Sequence, residues 1–186
     1  MKIMNKSFFL QYYLELFNLS NSIIEDDIIK LAELIMFNSN YGGKVIVIGN
    51  GGSASISSHI TVDLIKAAGI EAVNFNEPSL ITCFANDYGY EKWVQEALKI
   101  HCKPNDVVII ISSSGMSLNL INGMKEANSI TKSTISFTGF EQNNDLSKLG
   151  LINFWVDSKV YNYIEITHQT WLLSMIDYII KIKKKS

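Results

Sequence analysis

Two cysteines, three histidines and no long unbroken apolar run are the notable shortages in this 186-residue chain. Cys83 and Cys102 form no CxxC pair, so neither a disulfide framework nor a cysteine metal knuckle is available, and buried thiols of a cytosolic protein are expected. No segment approaches the roughly 20 apolar residues of a membrane span. The N-terminal stretch is interrupted by Gln11 and Glu15, and no small-residue cleavage site follows. It reads as an amphipathic helix rather than a leader peptide. The formal net charge of −2 leaves no overall basic field for nucleic acid. The one marked charge run, Lys181 and Lys183 to Lys185, reads as a solvated tail. Repeats, low-complexity stretches and linkers are absent, which points to one domain over 1–186.

What is present is a hydrophobic fraction of 47% against 18% charged residues, enough to build a sizeable core. Residues 7–18 and 22–38 carry apolar side chains at helical spacing, and together they make an N-terminal helical region over 1–40. An α/β core is expected over 41–186. Lys44 to Gly49 is a β-branched run closed by glycine, the pattern of a strand buried on both faces. A helix is expected from about Ser55 to Ala67, then a weaker strand at Ala72 to Phe75. A further helix from Ser79 is interrupted at Asn86 to Tyr90 and resumes through Leu98. Asp106 to Ile111 is the clearest strand. Leu118 to Asn128 reads as helix, Ser133 to Phe137 and Leu151 to Val156 as strands, and 162–183 as the final helix. Such alternation implies βαβ units: a three-layer α/β sandwich with a central parallel sheet and helices on both faces. Ligands of such sheets lie beyond the carboxyl ends of the strands. Trp93, Trp155 and Trp171 are expected in the core.

Two strand-to-helix loops carry the chemistry. The first is Gly49-Asn50-Gly51-Gly52-Ser53-Ala54-Ser55. Its glycines permit close backbone approach, and a following helix N-terminus offers unpaired N–H groups. The second, Ser112-Ser113-Ser114-Gly115-Met116-Ser117, sets four hydroxyls around one glycine. Hydroxyls with backbone amides hold a phosphate without lysine or arginine. Either loop alone is equally an N-capped turn, whereas two on neighbouring βα units are more specific. Neither matches a Walker loop or a dinucleotide fingerprint.

GNGGSAS, the later NDYGY, the ISSSGMS loop and the strand TISFTG resemble the sugar isomerase (SIS) domain, and within it the phosphoheptose isomerase group. The resemblance spans most of the chain. It implies a flavodoxin-like fold and a sugar phosphate as ligand. The phosphate would lie on Ser112, Ser113, Ser114 and Ser117, and the sugar on Asn50, Gly51 and Ser53, with Asn86 and Asp87 in the acidic segment. It also implies a homo-oligomer, usually a tetramer, and the N-terminal helices suit that use or a monomer's core equally. That group binds zinc through a histidine and a glutamate on the helix after the first loop, and a glutamine and a second histidine on the last helix. Here His59 matches the first histidine and Asp63 replaces the glutamate. Glu165 stands at the glutamine position and Leu173 at the second histidine.

Three readings follow. His168 faces the site, and His59, Asp63, Glu165 and His168 hold zinc or another divalent ion, with Asp63, Glu165 and His168 catalytic. Or the reaction runs without metal, with Glu165 or Asp63 as base. Or the domain only binds, as in the bacterial replication-initiator-associating protein, which resembles the group in the same way. The plain alternative for His168 is a hydrogen-bonded histidine within its helix.

Overall fold

A computed structural model describes residues 2–185, with side chains from Ser7 onward. Two helices open the chain, α1 (Lys2–Ser20) and α2 (Glu25–Asn40). Then come β1 (Val45–Gly49), α3 (Gly52–Lys66), β2 (Ala72–Val73), α4 (Pro78–Tyr88) and α5 (Trp93–His101). The second half holds β3 (Val107–Ser112), α6 (Leu118–Ile130), β4 (Ser133–Thr138), β5 (Ile152–Trp155) and α7 (Tyr161–Lys183). The five strands form one parallel sheet in the order β2-β1-β3-β4-β5. That order reverses direction between β1 and β3, so the crevice beyond their carboxyl ends is the expected ligand position. The two Gly/Ser-rich loops leave those two strands.

β1, β3 and β4 are buried along their whole length, which explains their continuous apolar pattern. Alternate residues then feed two separate cores, as strand geometry requires. Val45, Val47, Val107, Ile109 and Ile111 pack with Leu31, Ile60, Leu64 and Leu172 of α2, α3 and α7. Ile46, Ile48, Val108 and Ile110 pack with Trp93, Leu98 and Met124 of α5 and α6. Each such side chain contributes about 1.5–3 kcal/mol on burial. Beneath the sheet, Asp106 accepts hydrogen bonds from the backbone of Lys44 and Lys103 and pairs with the Lys44 ammonium, pinning the starts of β1 and β3.

Several boundaries differ from the sequence reading. α3 begins at Gly52 because Gly51, at φ +54°, turns the chain directly off β1. Residues 86–88 close α4 as helix, and the break falls at Gly89 instead. Lys183 is no solvated tail: its ammonium donates to the Ala68 carbonyl at 2.7 Å, where α3 ends, a favourable place for a cation. No described helix is long and apolar enough to cross a membrane.

Candidate functional site

A cavity of about 130 Å3 opens at the β1/β3 reversal, lined by Asn50, Ser53, Ser112, Ser113, Ser114, Ser117, Tyr161 and Glu165 over a floor of Ile111 and Leu120. Larger hollows exist elsewhere, but this one gathers both loops and a carboxylate. The chain has no arginine, and no lysine lines the cavity. An anion here meets hydroxyls and a helix N-terminus instead.

The second loop is shaped for that. Gly115 adopts φ +65°, a conformation side chains resist. A side chain there would also run into the Asn144 amide behind the loop. Asn144 donates to the carbonyls of Gly139 and Glu141 and accepts from the Ser147 amide, so it is a rigid strut. Ser112 and Ser113 are buried, and the Ser113 hydroxyl has no protein partner. A buried hydroxyl left unsatisfied is costly, and here it lines the ligand cavity. Ser117 caps α6 without using its side chain, leaving the hydroxyl and the positive end of the helix dipole for an anion.

Across the cavity, Glu165 reaches from α7 to the first turn of α3. Its carboxylate occupies the space that a side chain at Gly52 would fill. Burial holds its carboxyl above the usual carboxylate range. Gly51 lies beside the cavity as the helix cap rather than in its lining.

His168 does not face this site. It is fully buried, its Nε2–H donates to the Thr138 carbonyl at 3.1 Å, and its ring packs near Phe137 and Trp171. The predicted ligand and catalytic role is therefore corrected: this is the hydrogen-bonded helix histidine. The other members also stand apart. His59 and Asp63 pair at 3.4 Å on the outer side of α3, outside the cavity lining. No group of three His, Cys, Asp or Glu side chains placed to hold a metal ion is found among the described residues. The four-residue set does not fit a divalent ion. Asp87 is likewise placed elsewhere, exposed at the end of α4 and close to Asn86 and the Cys83 thiol. Leu173, at the second-histidine position, packs against the core.

Residues not singled out from the sequence also matter. Gln169 meets His59 Nδ1 at 3.0 Å. It lies one turn beyond Glu165, and that i+4 spacing was the available signal. Tyr161 joins the cavity lining from α7, and Asn119 of α6 is hydrogen-bonded to Asn50 without lining the cavity itself.

Burial pushes the His168 imidazole down to about 4, although the Thr138 carbonyl favours its charged form. The unfolded chain binds its proton near pH 6.5, so between that value and about 4 the unfolded state holds more protons. Stability is then fully present above pH 6.5 and falls by about 3 kcal/mol as pH drops through this window. Urea unfolding of His168→Gln is expected to show a correspondingly flatter decline between pH 7 and 4 than the parent protein. Parallel declines would contradict the buried, neutral assignment.

Comparison with known proteins bears on this arrangement. The SIS domain family matches residues 9–139. A probable phosphoheptose isomerase of Thermoplasma volcanium is 33% identical over 164 residues, covering 84% of this chain and 83% of the relative. The phosphoheptose isomerase of Aquifex aeolicus is 32% identical over 149 residues, covering 77% and 78%. A phosphoheptose isomerase structure from Francisella tularensis superposes with a TM-score of 0.87 at 21% identity, covering 97% of this chain and 99% of that one. Both sequence relatives carry the isomerase name, which gives the binding-only reading no support.

Proposed function

This chain belongs to the SIS domain family, and we propose that it is a phosphosugar isomerase of the phosphoheptose isomerase kind. It interconverts a ketose phosphate, such as sedoheptulose 7-phosphate, with the matching aldose phosphate, in the service of surface-polysaccharide heptose synthesis. The observation that carries the reading is one cavity joining a hydroxyl-rich serine loop to a carboxylate of raised pKa.

The chemistry follows from that pairing. The phosphate is held by Ser112, Ser113, Ser114 and Ser117 at the α6 N-terminus, which anchors the sugar without consuming the catalytic group. The sugar extends toward Asn50 and Ser53. Glu165 takes the proton from C1 of the ketose, the electron pair forms the C1–C2 double bond of an enediol, and O2 takes a proton from water as the C2–O π bond breaks. After the proton on the Glu165 carboxyl has exchanged with solvent, Glu165 protonates C2 while O1 gives up its proton to water and the C1–O electron pair closes to a carbonyl, which gives the aldose. A carboxyl with a raised pKa serves both directions, being basic enough to remove the proton and acidic enough to return it. The uncapped α3 N-terminus beside Gly52 stabilises negative charge developing on the oxygens. No step runs through a metal. His59 and Asp63 of α3 and Gln169 of α7 lie together outside the cavity lining.

One face of α1 offers Phe9, Leu10, Tyr13, Leu14 and Phe17 to solvent. So large an apolar face favours assembly, and the proposal includes a homotetramer built through it, as the family resemblance implies.

The test is direct conversion. Purified protein incubated with sedoheptulose 7-phosphate, and separately with six- and five-carbon ketose phosphates, is expected to yield aldose phosphate fastest from the heptulose. No aldose from any of them would defeat the proposal.

A further inference from the structure

Building on the phosphosugar reading, we infer that Asn119 is a positioning residue, clasping the sugar-contacting Asn50 so that the two ends of the site share one frame. Asn50 leaves the end of β1, and Asn119 is the second residue of α6, just beyond the serine loop. Their side chains exchange hydrogen bonds: Asn50 Nδ2 donates to Asn119 Oδ1 at 3.0 Å, and Asn119 Nδ2 donates to Asn50 Oδ1 at 2.9 Å. Each amide offers two N–H donors and two acceptor lone pairs, and the exchange uses one of each on both sides. Turning either amide alone would set N–H against N–H and oxygen against oxygen, losing both bonds. The pair therefore fixes the plane of Asn50, which keeps one N–H and one lone pair for a ligand or for Tyr90, whose hydroxyl lies 3.4 Å from Asn50 Oδ1.

Exposure separates the roles. Asn119 is 2% exposed and absent from the cavity lining, whereas Asn50 lines it. Asn119 thus acts on a sugar only through Asn50. It sits in the first turn of the helix whose N-terminus faces the phosphate, so the clasp ties the phosphate anchor to the sugar contact. A phosphosugar spanning both loops senses that tie, and inorganic phosphate, engaging only one, does not.

The test is a double-mutant cycle in the full chain with Asn50→Ala, Asn119→Ala and both together. Three readouts serve: kcat/KM on sedoheptulose 7-phosphate, its dissociation constant, and competitive inhibition by inorganic phosphate. Asn119→Ala is expected to lower kcat/KM by about tenfold, the loss of one or two hydrogen bonds, with phosphate inhibition unchanged. The double variant is expected to be no worse than Asn50→Ala. Asn119→Leu, which keeps the branched shape and volume without charge and makes no hydrogen bond to Asn50, covers the case in which the alanine variant does not fold, and its expected loss is the same. Multiplying losses in the double variant, equal weakening of inorganic phosphate, or a fully active Asn119→Leu would each overturn the inference. If the parent protein binds the heptulose without converting it, the isomerase reading fails, while the cycle still decides the clasp through the dissociation constants.

Discussion

Glu165→Gln is expected to lower kcat by roughly two to four orders of magnitude, the usual contribution of a general base. Glutamine keeps the shape of the side chain that fills the notch at Gly52 but cannot accept a proton at neutral pH. Because the proposed phosphate site is the serine loop, carried by a different element from Glu165, inhibition by inorganic phosphate is expected to stay within about twofold of the parent value, less than one hydrogen bond's worth. The pH profile adds a sign. The base works ionised, so kcat/KM falls as pH drops through the Glu165 pKa. Burial raises that pKa, so the acid limb lies above the ordinary glutamate value near 4.3. Loss of turnover together with phosphate binding would show instead that Glu165 holds the site's shape.

Gly52→Ala is expected to reproduce most of that loss by moving Glu165 rather than changing it. An added methyl would occupy the space of the carboxylate. The obstacle is the far end of a flexible side chain, so the fold yields by displacing Glu165. Gly52 is the first residue of α3 and has no positive φ, so its backbone accepts alanine, which has the higher helix propensity. Thermal stability is expected to hold or rise slightly. A misplacement of about 1 Å costs about a hundredfold in rate, and kcat measured beside the melting temperature checks both halves. Unchanged kcat would remove the notch from the mechanism.

How much of this was readable from the residues differs between elements. The strands β1 and β3 show themselves because both faces are buried, so their apolar runs are continuous. The serine loop shows itself through hydroxyls packed around a glycine that must adopt positive φ. The last helix is harder. Glu165 and His168 are three residues apart, about 60° around a helix, so spacing alone lets them share a face. The wider pattern separates them. Ile164, His168 and Leu172 recur every four residues and enter the core, whereas Tyr161, Glu165 and Gln169 form the neighbouring stripe that turns to the cavity and to His59. Ile164 and Leu172, one turn to either side of His168, mark it as a core position. Asp87 was misplaced for a related reason. Residues 86–88 continue α4, a helix with no buried side chain, and local motif chemistry says nothing of where such a helix points. The Asn50–Asn119 pair joins residues 69 positions apart, which no local pattern reveals.

The central claim is that Glu165 moves a proton on a sugar held by the serine loop. Proton NMR of sedoheptulose 7-phosphate in D2O with the purified protein tests it most directly. Solvent deuterium is expected to enter C1 of the ketose and C2 of the aldose, with exchange abolished in Glu165→Gln. Aldose formed without deuterium, or exchange that persists in that variant, would contradict it.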